Sequence, residues 1–434
     1  AALQAQWRNK AVSDTYYPGS VFKMVTLSMA LEENVATEET TFTCTGSYVP
    51  VQGERAINCH NTSGHGTQTL VQGTMNSCNP FFIYLGQLLG TETFYDNFEA
   101  FGFTQKTGID LPGESQSIYH DRDMSLMDLA VESFGQNFSI TPIQMITACA
   151  AIANGGYLVQ PHVVSQIVDN DGNIIKTADT TVKRQVISEE TSKRVSKILQ
   201  ENATSGTAKN GYVAGYRIAG KTGTSEKVGA DGKVGSDNKY IASYCGFAPA
   251  DDPQYAVLVF FDEPTGDSYY GGAVAGPVFA KIMEEILPYL NVETKYTEDE
   301  AGSVGVSAPN VIGKTVSEAT NELTNSGLKI LVKGSGDTVI AQTPDPGSSV
   351  PSGGTVVVYT DEASMNQTVT VPNFTNRSLS DVNYLAAQAG LNIKVTGAYN
   401  SSAATARTQD YAAGEQIKPG TVITVNFVEE DTVR

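Results

Sequence analysis

Tyr216-Arg217-Ile218-Ala219-Gly220-Lys221-Thr222-Gly223-Thr224 marks the point where the periodicity of this 434-residue chain changes. Upstream, apolar residues recur three and four apart. Downstream they gather into β-branched and aromatic runs at 240–247 and 255–261, parted by the turn Pro249-Ala250-Asp251-Asp252-Pro253. The quoted stretch therefore reads as the first of three strands in a meander, which implies an antiparallel sheet. An apolar helix at 274–290 follows it. Gly223 leaves one strand position without a side chain, where the backbone of an extended ligand could approach and add as a further strand.

Working outward towards the N-terminus, 20–33 carries Val21, Met24, Val25, Leu27, Ala30 and Leu31 at helical spacing, with Pro18-Gly19 punctuating its start. A second helical stretch, 67–89, is interrupted around 77–80. Further helices are read at 142–153, stopped by Asn154-Gly155-Gly156, and at 188–201, closed by Thr204-Ser205-Gly206. Residues 1–290 thus read as one mixed α/β unit, more specifically α+β, with helices and an antiparallel sheet.

Three short words stand in order along this unit: Ser20-Val21-Phe22-Lys23, Ser77-Cys78-Asn79 and Lys221-Thr222-Gly223-Thr224. They supply a hydroxyl nucleophile, an amine, a second hydroxyl, an amide and a second amine. That set suits serine acyl transfer without histidine. Each word has decoys, namely Ser236-Asp237-Asn238-Lys239, Ser326-Gly327-Leu328-Lys329, Ser364-Met365-Asn366 and Lys106-Thr107-Gly108. Context separates them. Ser20 opens an apolar helix, so Lys23 shares its face at i+3, and burial beside Phe22 and Met24 would lower the lysine's proton affinity. Ser77 and Asn79 sit at a helix kink that could aim both into a cleft, although capping ahead of Pro80 is the plainer use of such residues. Ser236 falls in a loop, Ser326 at a helix end, Ser364 in a polar stretch and Lys106 in a turn-rich segment.

The 28 Lys and Arg against 47 Asp and Glu give a net charge of −19, which argues against nucleic acid as a partner, since that needs basic patches. No run of about 18 apolar residues occurs, so no transmembrane helix is read. Of five cysteines, Cys44 and Cys59 flank a loop and could close a disulfide in an oxidising compartment, with free thiols as the alternative. The four histidines show no familiar metal-ligand spacing, so no metal site and no cofactor are expected.

Residues 291–307 are acidic, contain Gly and Ser and lack apolar periodicity, as a linker would. An internal repeat follows. Pro309-Asn310 and Gly327-Leu328 return as Pro372-Asn373 and Gly390-Leu391, both at an offset of 63, and Gln342 and Gly354-Thr355-Val356 return as Gln409 and Gly420-Thr421-Val422. Each unit, 308–362 and 370–430, reads as one helix followed by strands, a small autonomous α+β domain.

Pro18-Gly19-Ser20-Val21-Phe22-Lys23, Ser77-Cys78-Asn79-Pro80, Gly135-Gln136 with Thr141-Pro142 and Gln144, and Gly220-Lys221-Thr222-Gly223-Thr224 together resemble the transpeptidase domain of class B penicillin-binding proteins. The repeats resemble PASTA domains. The resemblance implies a peptidoglycan D,D-transpeptidase. Ser20 would attack the penultimate D-Ala carbonyl of a stem peptide, Lys23 would be its base, Ser77 the proton relay, and Asn79 the group holding the lysine and the substrate amide. Lys221 would add positive charge, and Thr222, Gly223 and Thr224 would line the substrate subsite. Backbone N–H groups of Ser20 and Thr224 would form an oxyanion hole. β-Lactams would trap Ser20.

Implied partners are peptidoglycan stem peptides, β-lactams and cell-division or sporulation proteins. The implied location is the extracytoplasmic face of the bacterial membrane, reached through an N-terminal anchor that this sequence does not contain. Such a domain usually has a helix and two sheet strands ahead of its nucleophile, where this sequence has 19 residues. It therefore reads as N-terminally truncated, with 255–261 left as an exposed apolar edge and the chain weakly stable and weakly active alone. Competing readings are a β-lactamase, a β-lactam sensor, and a non-catalytic wall-binding division scaffold.

Overall fold

The structure is a computed structural model that describes residues 7–229, 231, 234–266, 268–295, 305–351, 353–397 and 403–429. It divides into two compact units, one built mainly from Ala1–Tyr212 and Arg217–Ile286, the other mainly from Leu287–Glu430.

The first unit is organised around α1 (Lys23–Glu32), which is entered through one 3-10 turn, Gly19–Phe22. Every residue from Lys23 to Leu31 is buried, so α1 is the central helix and is apolar on nearly all sides. Phe22 anchors its entry. Its ring lies 4.7 to 6.3 Å, centroid to centroid, from Phe94, Phe98, Phe103 and Phe138, a cluster whose packing fixes the turn that carries Ser20.

Four short strands follow. β1 (Thr41–Cys44) pairs antiparallel with β4 (Gly66–Thr69), and β2 (Ser47–Tyr48) with β3 (Ile57–Asn58). Then come α2 (Leu70–Met75), α3 (Asn79–Ala100), α4 (Leu126–Glu132), α5 (Pro142–Ala153) and α6 (Glu189–Ser205). The interrupted helix expected at 67–89 differs at both ends. Residues 67–69 belong to β4, because the Thr69 side chain caps α2 and makes the strand end there. Beyond the kink, α3 runs on to Ala100, broken only at Gly90, whose φ of 75° and ψ of 166° are not helical.

The expected meander is formed by β5 (Ala219–Glu226), β6 (Tyr240–Ala248) and β7 (Tyr255–Asp262), in the order β7-β6-β5 with antiparallel pairing throughout. The helix α7 (Gly271–Tyr289) follows. β7 is an edge strand of this sheet, but residues 255–261 are half-buried rather than exposed. Part of that cover is local: the ring of Tyr16 stacks on Phe260 at 5.6 Å.

The second unit holds the repeats. In the first, α8 (Val316–Asn325) is followed by β8 (Lys329–Lys333), β9 (Ala341–Thr343) and β10 (Thr355–Tyr359), with β10 central, parallel to β8 and antiparallel to β9. The second repeats this topology with α9 (Leu379–Ala389), β11 (Asn392–Gly397), β12 (Thr405–Gln409) and β13 (Val422–Val428). The repeated glutamines do one job. Gln342 accepts from the Val311 N–H and donates to the Pro309 carbonyl; Gln409 does the same with Phe374 and Pro372. Val306–Ser307, read from the sequence as linker, is a strand paired with Ser349–Val350. Of the remainder, 291–295 and 305 lie outside any strand, and 296–304 fall outside the described residues.

Candidate active site

Three of the elements just described meet at the predicted words. α1 brings Lys23, the break between α2 and α3 brings Ser77 and Asn79, and β5 brings Lys221. Both lysines are fully buried. Lys23 Nζ donates to the Ser77 carbonyl at 2.6 Å and to Asn79 Oδ1 at 2.7 Å, and lies 3.2 Å from Ser77 Oγ. Lys221 Nζ donates to the same Ser77 Oγ at 2.8 Å and to the Thr222 carbonyl at 3.1 Å. Ser77 Oγ is thus the shared partner of two amines.

Ser77 reaches that position because its backbone is left-handed, with φ of 50°. A non-glycine residue there stores strain, which persists where surrounding contacts over-determine it. Here the two lysines, the Thr74 carbonyl that accepts the Ser77 N–H, and the restart of the helix at Asn79-Pro80 supply those contacts.

Ser20 is half-buried in the 3-10 turn that precedes Lys23. The turn is held from two sides. The Gly19 N–H donates to the Gly135 carbonyl at 2.8 Å, and Ser225 Oγ on β5 donates to the Tyr17 carbonyl at 2.7 Å. A Cβ on Gly135 would collide with the Gly19 carbonyl. This explains the Gly135-Gln136 word, which sequence spacing alone leaves without a role.

Gly223 has a different purpose from the expected one. A Cβ there would lie 2.5 Å from Ser243 Oγ, 3.0 Å from Val21 and 3.1 Å from the Pro18 carbonyl. The glycine lets β5 pack directly against the nucleophile turn, so its bare side faces the side chains of Ser243 and Val21 and the Pro18 carbonyl. Thr222 is buried, and Thr224 Oγ1 accepts the Gly271 N–H at 3.0 Å, tying β5 to the start of α7.

Burial lowers the amine of Lys23 from its ordinary range to about 8. Ser77 Oγ holds Lys23 and Lys221 at one point, where neither amine has bulk water to solvate its charge. The arrangement can take a proton, pass it on through a hydroxyl, and stabilise negative charge beside the strand.

Sequence reading missed two supports. Asn202, fully buried, donates from its side-chain amide to the Gly220 carbonyl at 2.7 Å and so fixes the start of β5 from α6. Glu132, at the end of α4, meets His120 Nδ1 at 2.6 Å, and burial raises its carboxyl to about 7. Neither has a sequence signal that sets it apart from the other polar residues of its helix.

The decoys lie apart. Ser236 is exposed and donates to Asp231; Ser326 caps α8; Ser364 Oγ donates to the Asp361 carbonyl; Lys106 is exposed. Of the two alternatives left open for Cys44 and Cys59, the structure has the free thiols, and all five cysteines are free and buried. The absence of a familiar metal-ligand spacing also misses what folding does, because ligand atoms of Cys44, Cys59, His65 and Cys78 come within 4.8 Å of one another.

Residues 1–284 match the model of the penicillin binding protein transpeptidase domain, and residues 306–362 and 369–429 match the PASTA domain. Stage V sporulation protein D of Bacillus subtilis is 40% identical over 364 residues, which are 82% of this chain and 55% of that protein. Peptidoglycan D,D-transpeptidase FtsI of Escherichia coli is 30% identical over 292 residues, 66% of this chain and 46% of that protein. Among solved structures, penicillin binding protein 3 of Mycobacterium tuberculosis complexed with aztreonam is similar with a TM-score of 0.60 at 29% identity, covering 66% of this chain and 65% of that one. Penicillin Binding Protein 2X from Streptococcus thermophilus shares the fold over 97% of this chain and 62% of its own, with a TM-score of 0.57 at 24% identity. The chain spans about half the length of these curated relatives. With well over half of its residues matching the first model, the chain belongs to the penicillin-binding protein transpeptidase family and carries two PASTA domains.

Proposed function

We propose that this chain is a peptidoglycan D,D-transpeptidase that works through an acyl-enzyme on Ser20 and is trapped there by β-lactams. The convergence of two buried amines on Ser77 Oγ, beside the turn that carries Ser20, is the observation that carries this reading. Relatives named as peptidoglycan D,D-transpeptidases supply the substrate class.

Lys23 in its neutral form uses two N–H bonds for the Ser77 carbonyl and Asn79 Oδ1, its two shortest contacts. That leaves its lone pair for the Ser20 proton. Ser20 Oγ bonds to the penultimate D-Ala carbonyl, with backbone N–H groups of Ser20 and Thr224 stabilising the oxyanion. The C–N bond to the terminal D-Ala then breaks. Its amine takes the proton held by Lys23, relayed through Ser77 Oγ, while Lys221 keeps that hydroxyl polarised. The amine of a neighbouring stem attacks the ester next, and the proton it loses returns to Ser20. Thr222 and Thr224 hold the substrate carboxylate beside Lys221.

The substrate lies outside the cytoplasmic membrane, so the chain acts on the extracytoplasmic face. Among the described residues no helix is long and apolar enough to cross a membrane. Relatives named for sporulation and for FtsI support a division or sporulation assembly as the setting, with residues 308–362 and 370–430 as wall-contacting modules. Intact-mass analysis after penicillin treatment tests the reading. One adduct, mapped to Ser20 and lost in Ser20→Ala, is expected. An adduct that survives Ser20→Ala, or rapid turnover of a chromogenic cephalosporin, would overturn it, the latter in favour of a β-lactamase.

A further inference from the structure

We propose that Cys44, Cys59, His65 and Cys78 form a tetrahedral zinc site that fastens the Ser77–Asn79 corner of the active site to the small strands β1–β4. One ligand atom from each residue lies within 4.8 Å of every other. A tetrahedral ion bonded at about 2.3 Å to sulfur and about 2.0 Å to nitrogen spaces its ligand atoms roughly 3.5–3.8 Å apart. The cluster therefore needs only a small contraction. His65 Nδ1 is already 3.6 Å from Cys59 Sγ. Three thiols and one imidazole, with no carboxylate, are the donor set of a closed zinc site, because soft sulfur selects Zn²⁺ over Mg²⁺ or Ca²⁺.

A disulfide is the simpler use of two cysteines, but it accounts for less. Any pair that bridged would leave a third buried thiol and an imidazole converging on it without a purpose. The local backbone also looks built to bring ligands together. A Cβ on Gly46 would strike the Thr62 carbonyl, and one on Gly64 would strike the Cys44 carbonyl, so the loops after β1 and before β4 close on each other through bare backbone. The Cys59 N–H donates to the Gly46 carbonyl at 2.9 Å, and β1 pairs Cys44 with Gly66, the neighbour of His65. Each loop contributes a ligand at the point of closure. Cys44, Cys59 and Cys78 are all but fully buried and His65 is partly exposed, which leaves a route for the ion to enter. His60 stands behind, with its ring 5.2 Å from that of His65 and Nδ1 3.9 Å from Cys59 Sγ, where it could donate to a coordinated thiolate.

Cys78 links this cluster to the chemistry. It is the middle residue of Ser77-Cys78-Asn79, and both neighbours contact Lys23. On binding, each thiol releases its proton to solvent and Zn²⁺ takes the three sulfurs and one nitrogen, with no change of oxidation state. The ion would then hold Cys78, and with it the strained Ser77 backbone, against β1–β4. These four residues are positioning residues, since none touches the reacting atoms. The existence of the site stands on the geometry alone. Its effect on acylation rests on the function proposed above.

The full chain, stripped with a chelator in the presence of a non-coordinating phosphine reductant, is titrated with Co²⁺ and followed by absorption. Metal content is measured separately after purification without chelator. One metal per chain is expected, together with sulfur-to-cobalt charge-transfer absorption, intense visible bands of tetrahedral Co²⁺, and displacement by Zn²⁺. Cys44→Ser and the milder His65→Ala should each weaken binding at least tenfold, with far-ultraviolet circular dichroism confirming that His65→Ala is folded. Ser20→Ala should bind metal normally while losing acylation, which separates failure of this site from failure of the proposed function. Metal far below one per chain with no cobalt spectrum, a spectrum untouched by His65→Ala, or a Cys44–Cys59 disulfide found by peptide mapping of the native protein would each overturn the site. Equal penicillin acylation rates in the stripped and zinc-loaded protein would overturn the positioning role.

Discussion

The interior of the catalytic unit and the interior of the repeats are built on different terms. The first buries Lys23, Lys221 and Glu132, together with a serine in left-handed backbone. Among the described residues the repeats bury no charged side chain; what they bury is Val, Leu, Ile, Ala, Phe and Tyr359, with a few amides and hydroxyls. Burying a charge costs several kcal/mol unless it is well paired. Such an arrangement survives only where the surrounding fold holds it and function uses it. The repeats carry no such burden.

Four measurements would break or sharpen this contrast. Ser77→Ala removes the hydroxyl shared by both amines, and we expect penicillin acylation to slow about a hundred- to ten-thousand-fold. Stopped-flow acylation kinetics would measure this; a loss below tenfold would mean the convergence is structural rather than catalytic. Next in size is the pH profile. Lys23 must be neutral to act as base and burial lowers it to about 8, so the acylation rate should climb about tenfold per pH unit below 8 and level off above it. A flat profile from pH 6 to 9 would exclude Lys23 as the base.

Glu132 gives a stability signal of the opposite sense to an ordinary surface carboxylate. Burial raises it from 4.5 to about 7 in the folded protein, so the fold favours its protonated form. Its stabilising share is complete below pH about 4.5 and is lost as pH rises through about 7, on the order of 3 kcal/mol in all. Calorimetry should show the transition of the catalytic unit falling over that window, and Glu132→Gln should flatten it. The transition of the repeats should hardly move, and a shift of similar size there would erase the contrast.

The smallest effect belongs to Asn392. Within the second unit its side chain accepts from the Thr355 N–H and donates to the carbonyls of Thr355 and Gly420, joining the two repeats. Asn392→Ala should destabilise the repeats by about 1–3 kcal/mol, read as a lower denaturation midpoint, with acylation unchanged.

Much of this was legible in the chain, and the reason differs from element to element. The 20–33 helix, the meander and the doubled α+β repeat are local patterns, so apolar spacing and punctuation located them. The strand at 67–69 escaped because a capping threonine ends it after one short pairing. Gly223 was visible as a glycine, but which surface needed the space was not, since Ser243, Val21 and Pro18 approach it from elsewhere in the sequence. The metal-ligating cluster was hidden for the same reason: Cys44, Cys59, His65 and Cys78 follow no regular spacing, and loop closure brings them together.

The sequence by itself determined the three reactive words, their order and the pair of repeats, because each is a short run whose chemistry and periodicity are local. Only the tertiary structure decided that Lys23 and Lys221, 54 and 144 residues from Ser77, meet on one hydroxyl. That meeting is set by how the central helix, the broken α2–α3 corner and the strand pack into one core. Packing at such separations answers to the shape and burial of the whole unit, which no local pattern encodes.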